Sequence, residues 1–180
     1  MFMITKSQYI SACAGALKLF EKAGIKLRAE EAENIEVADF GLGELETTGL
    51  QLVTYVNTER CCAKELALLP HQTCPEHRHP PIGDYIGKEE TFRVRYGTVY
   101  LYVDGEPTAS PAVRPPAGVY TVFHEIVLNP GEQYTLSPDT RHWFQGGKDG
   151  AVVSEFSTPS FDERDIFSDE RIRRLPEFEK

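Results

Sequence analysis

Between residues 50 and 156 the chain is a succession of short β-type runs, each closed off by glycine, proline or Asx residues. The runs cover residues 50–56, 64–69, 90–103, 123–128, 133–136, 141–145 and 151–156, and the third reads as a hairpin turning near Gly97. Runs of this length at these intervals suit an antiparallel barrel or sandwich. Ahead of them, residues 7–23 read as an amphipathic helix, with Tyr9, Ile10, Cys13, Leu17 and Phe20 at helical spacing and Gly24 as the stop signal. The expected architecture is therefore all-β and a single domain over 1–180. A helical extension takes about 1–30, the barrel about 31–160, and a charged arm over 161–180 packs as a short helix or an ordered arm. The Pro-rich stretch 107–116 reads as a surface spacer between strands, with a lid or a partner-binding arm as the alternative.

A chain of 180 residues can bury roughly 70% of the surface its unfolded form exposes. A formal charge of −9 disfavours a nucleic-acid partner, which needs clustered Lys and Arg, and equally disfavours an anionic membrane surface. No run approaches the length of a membrane span, and the first six residues lack the charged and apolar regions of a signal peptide. Cys13, Cys61, Cys62 and Cys74 contain no C-x-x-C pair, so they read as reduced thiols of a cytoplasmic protein. Cys74 lies near a histidine pair in sequence but is not read as a ligand.

That pair is His77 and His79. On an extended strand, residues i and i+2 project to one face, so the two imidazoles can aim at a single point. Glu90 follows eleven residues after His79, and His142 lies far downstream. Three imidazoles and one carboxylate suit a borderline divalent metal and leave coordination positions open for a substrate. Glu89 competes with Glu90, but neighbours on a strand face opposite ways and only one can point inward. Glu76 and Arg78 alternate with the histidines and should face away from the metal. His71 reads as a turn or surface residue, and His124 as an ordinary member of its β run.

The spacing His77-x-His79, Glu90 and Gly97, followed by Gly131, Pro138 and His142, resembles the two motifs of the cupin superfamily. The gap between His79 and Glu90 is longer than usual in that family, and Thr140 stands where many members carry Gly. The Glu-to-Gly spacing selects Glu90 over Glu89. Within the cupins the chain is similar to the D-lyxose ketol-isomerases. The closer likeness is carried by the long gap, by Lys88-Glu89-Glu90, by Arg141-His142-Trp143-Phe144 and by residues 153–158. It implies a jelly-roll barrel and an intracellular aldose–ketose isomerase acting on a free pentose or hexose. The substrates implied are D-lyxose and D-xylulose, with D-mannose and D-fructose. The implied cofactor is manganese or a similar divalent ion, with cobalt, iron, zinc and nickel as substitutes.

Such a reaction moves hydrogen between C1 and C2, so a base must serve both carbons from one face through a cis-enediol. The resemblance puts Glu155 in that role, as a carboxylate facing a mostly apolar barrel interior. It also puts Lys88 beside the metal, as an ammonium that stabilises developing negative charge. Trp143, Phe144, Tyr96 and Phe92 could give the sugar an apolar platform, of which one or two should touch it. Asp162, Glu163, Arg164 and Asp165 could supply polar contacts, with no basis for choosing among them. Barrel edges that need covering, together with the likeness, suggest a homodimer. Three alternatives stand beside this reading. A phosphosugar isomerase would need a cationic phosphate cradle, and an iron dioxygenase would more often use three histidines without the carboxylate. A non-catalytic sugar-binding cupin would not need Lys88 and Glu155.

Overall fold

Thr5 and Gln8 cap each other's backbone, and this box starts helix α1 (Lys6–Lys22) in the computed structural model, which describes residues 4–175. Residues 1–3 and 176–180, parts of the expected extension and arm, lie outside the described residues. Gly24 ends the helix at φ +71°, with Gly24 N–H donating to Glu21 O and Ile25 N–H to Phe20 O. The buried face overlaps only in part with the one read from the sequence, since Phe20 is buried and Tyr9 and Cys13 pack against the same core. Ala12, Ala16, Leu19 and Phe20 are buried, whereas Ile10 and Leu17 are 56% and 38% exposed. Small residues win the inner face because the helix lies close on the sheet: a Cβ on Gly15 would sit 2.6 Å from Leu69 Cδ2.

After the short helix α2 (Ala29–Glu33) come the strands β1 (Glu36–Ala38), β2 (Leu50–Asn57), β3 (Cys62–Leu68), β4 (Thr73–Arg78), β5 (Glu90–Val103), β6 (His124–Leu128), β7 (Gln133–Leu136) and β8 (His142–Ser157). A 3-10 turn (Asp162–Arg164) and the two-residue strand β9 (Ile166–Phe167) form the C-terminal arm. Two long strands correct the sequence reading. The expected hairpin over 90–103 is one continuous strand, and the separate runs 141–145 and 151–156 are both part of β8. β5 and β8 pair along their length, from Glu90↔Ser157 to Val103↔His142, with register shifts around Arg95 and Thr98. Gly97 sits at this bend with φ +71°, and a Cβ there would lie 2.0 Å from Gly150 O. The glycine that looked like a hairpin tip bends a paired strand instead.

The bend folds the sheet over on itself in a jelly-roll course. One half runs β1-β2-β3, the C-terminal part of β8, the N-terminal part of β5, then β7; the other runs β9-β4, the rest of β8, the rest of β5, then β6. Between them lies the main core, including Leu52, Leu66, Phe92, Val94, Leu101, Phe144 and Val153. A second core, with Ala16, Phe20, Val37, Val53 and Val152, seats α1 on the outside of the sheet. The Pro-rich loop packs against the outer face too: Tyr102 Oη donates to Val113 O and Gln145 Nε2 to Arg114 O. No helix among the described residues is long and apolar enough to cross a membrane.

Candidate active site

Bending β5 and β8 brings their opposite ends together inside the barrel. His142 begins β8 directly opposite His77 on β4, and His79 lies just past the end of β4. Glu90 opens β5, yet its Oε1 lies 3.1 Å from His79 Nε2 and 3.2 Å from His142 Nε2. The three imidazoles are buried and offer ring nitrogens that all lie within 4.8 Å of one another, an arrangement that can hold a metal ion. Each Nδ1 is engaged elsewhere. His77 Nδ1 donates to Pro75 O at 2.9 Å and His142 Nδ1 to Thr140 O at 3.0 Å, while His79 Nδ1 meets Asp165 Oδ1 at 2.5 Å. A carbonyl can only accept, so His77 and His142 carry the proton on Nδ1 and leave the Nε2 lone pair facing the centre. His142 Nε2 is buried and faces the Glu90 carboxylate 3.2 Å away without a well-formed hydrogen bond, the position expected of a donor kept for a cation. These donors fit a borderline divalent ion.

The charges follow from burial and neighbours. Burial pushes His77 well below the ordinary imidazole range, and His142 and His79 nearby add to the effect. Burial opposes protonation of His79 as well, but the Glu90 carboxylate outweighs it and lifts that ring to about 9. Burial alone would raise Glu90; Lys88 and His79 hold its carboxyl well below the usual range. Burial would likewise lower Lys88, yet Glu155 and Glu90 keep it well above the usual ammonium value. Its Nζ lies 2.7 Å from Glu90 Oε2 and 2.6 Å from Glu155 Oε1. Lys88 is therefore a charged bridge between two inward carboxylates.

Glu155 stands on β8 in register with Lys64 on β3 and Phe92 on β5, so all three project inward. The expected apolar surroundings of Glu155 are corrected here: one side is Phe92, the other an ammonium. Phe92 and Phe144 line the cavity. Alternation sends Trp143 outward and the register shift at Arg95 does the same to Tyr96, so that Trp143 stacks on Tyr102 at 3.9 Å and Tyr96 packs beneath α1. Of the arm, Asp162 and Asp165 reach the cavity, whereas Glu163 and Arg164 are exposed. Glu89 and His71 are exposed, as is His124. Cys74 lines the cavity without joining the imidazole cluster.

Sequence reasoning missed Lys64, Arg174 and Glu76. Lys64 Nζ donates to Asp162 Oδ2 at 2.7 Å, and Arg174 joins Asp162 to Glu36. Period-2 alternation through Leu66 and Leu68 would have placed Lys64 inward; nothing in the sequence marks Arg174. Glu76 does face away from the histidines, but it is buried. It accepts hydrogen bonds from Thr121 N–H, Thr121 Oγ1, Val122 N–H and Ser168 Oγ, and so ties the long loop and the arm to β4.

No family model matches the sequence. The D-lyxose/D-mannose isomerase of Thermosediminibacter oceani is 62% identical over 98% of this chain and 99% of its own length. The D-lyxose ketol-isomerase of Cohnella laeviribosi is 64% identical over 90% of this chain and 91% of its own. The chain belongs to the D-lyxose ketol-isomerase family. A third member, from a Thermofilum species, is 58% identical over 97% of this chain and 99% of its own. Membership makes this chain a sugar isomerase, an enzyme of the aldose–ketose class. The L-ribose isomerase of Cellulomonas parahominis superposes with a TM-score of 0.75 at 17% identity over 99% of both chains. That of Geodermatophilus obscurus gives 0.71 at 15% identity over 98% of this chain and all of the other. At such identities the likeness shows a shared cupin-type fold.

Proposed function

We propose that the enzyme interconverts D-lyxose and D-xylulose, and D-mannose and D-fructose, through a cis-enediol, with a divalent ion on His77, His79, Glu90 and His142. The relatives' names support the substrates. The observation that carries the chemistry is the meeting of the histidine cluster and the Lys88–Glu155 pair in one buried cavity. Manganese suits the mixed nitrogen and oxygen donors. Bound there, it would act as a Lewis acid toward the sugar oxygens. Glu155 takes the proton from C2 of the aldose and returns it to C1, while the hydroxyl proton passes from O2 to O1. Lys88, an ammonium held between Glu90 and Glu155, donates to a sugar oxygen and offsets the negative charge that develops as the C–H bond breaks.

A phosphosugar substrate is disfavoured because the cavity's cations are already neutralised. Lys64 pairs with Asp162, Lys88 with Glu90 and Glu155, and Arg174 with Glu36 and Asp162. An inward carboxylate at Glu90 also sets the site apart from an all-histidine iron centre. The same reading takes the chain as one domain, assembled as a homodimer in the cytoplasm, where Cys13, Cys61, Cys62 and Cys74 stay free. The test is an assay of Mn2+-loaded and chelator-stripped protein against a panel of free aldoses. Ketose should form from D-lyxose and D-mannose only with metal present. Equal turnover by stripped protein would reject metal dependence, and no turnover of either sugar would reject the substrate class.

A further inference from the structure

We infer that Asp165, carried into the barrel by the C-terminal arm, is a positioning residue for the metal centre. Its task is to fix His79 in the ring orientation and tautomer that aim Nε2 at the ion. His77 and His142 need no distant help, since each Nδ1 reaches the carbonyl two residues before it, Pro75 O and Thr140 O. His79 has left the strand, and its Nδ1 is met by a carboxylate 86 residues further on, Asp165 Oδ1 at 2.5 Å. The Asp165 side chain is only 5% exposed. It is also held in place from both sides. Before it, Asp162 is clamped by Lys64 and Arg174. After it, β9 pairs with β4 as His77↔Phe167, and Ser168 N–H donates to Glu76 O at 3.1 Å. His79 is thus the one imidazole of the three whose Nδ1 meets an anion rather than a carbonyl, and a carboxylate acceptor makes an imidazole the stronger donor to a cation.

This inference rests on the proposed metal site, and its test separates the two. Apo-protein is titrated with Mn2+ by calorimetry and with Co2+ by visible absorption, for the unmodified chain, Asp165→Asn, Asp165→Ala, Asp162→Asn and His77→Ala. Losing this partner should weaken metal binding about 10- to 100-fold in Asp165→Ala. Asp165→Asn, which keeps an acceptor without the charge, should fall between, and the Co2+ band should shift in both. Asp162→Asn loosens the clamp ahead of Asp165 without removing the His79 partner, and should weaken binding by clearly less than Asp165→Ala does. If both Asp165 variants bind as tightly as the unmodified chain, or if Asp162→Asn weakens binding equally, positioning by Asp165 is overturned. Should Asp165→Ala fail to fold, the isosteric Asn variant decides alone. Full metal binding by His77→Ala would instead overturn the metal site itself.

Discussion

Glu155 and Lys88 form an ion pair whose members carry different roles in the proposed mechanism, and substitution should separate them. Glu155→Gln keeps shape and should retain the metal, yet lose at least about 10²-fold in kcat, the scale of a missing general base. Lys88→Gln leaves Glu90 and Glu155 buried without their shared cation, so it should lose both activity and about 3 kcal/mol or more of stability. Urea denaturation alongside steady-state kinetics tells the two apart. The histidine pair and Glu90 could be read from the sequence because H-x-H spacing and strand alternation are local rules, whereas Lys88 and Glu155 rest on the family resemblance. His77, His79, Glu90, His142, Lys88 and Glu155 do converge. What local rules could not supply is who neutralises whom: Lys64 with Asp162 and Arg174 with Glu36 are joined only by the fold. Glu76 shows the same limit. Alternation turned it away from the histidines, but only the tertiary structure brings Thr121, Val122 and Ser168 to it.

Among the elements, the bend shared by β5 and β8 decides whether the site exists. Gly97 is left-handed and pressed against Gly150 O, so Gly97→Ala should destabilise the fold by about 2–4 kcal/mol, well above a surface change. The misreading of 90–103 as a hairpin has a physical source. A glycine within an apolar run signals a turn and a bulge alike, and only pairing with a second long strand distinguishes them. Two residues of the α1 face, Ile10 and Leu17, were misjudged for a similar reason, since close approach to a sheet selects Ala12 and Ala16 over them. The arm carries a pH signature. Burial would raise Asp162, but Lys64 and Arg174 hold it well below the ordinary aspartate range. Its folded-state value is depressed, so its contribution is present above the unfolded value of about 4 and lost as pH falls below that. Thermal midpoints between pH 6 and 3 should therefore drop less for Asp162→Asn than for the unmodified chain, although the variant starts lower.

For the whole molecule, one core shared by both halves of the sheet predicts a single cooperative unfolding transition. β1 covers only the first residues of β2, and Tyr55, Val56 and Phe156 remain exposed nearby, so an edge and an apolar patch lie open together. Light scattering should give about twice the 20.3 kDa chain mass; a monomer at micromolar protein would reject the dimer. We propose that this barrel moves a proton, through Glu155, between the first two carbons of a free sugar. Turning over D-lyxose in deuterated water with Mn2+-loaded enzyme tests it most directly. Deuterium at C1 of the D-xylulose, together with a loss of at least about 10²-fold in Glu155→Gln, is the predicted result. Product without solvent label, formed at an unchanged rate by Glu155→Gln, would contradict the account and leave direct hydride transfer from C2 to C1.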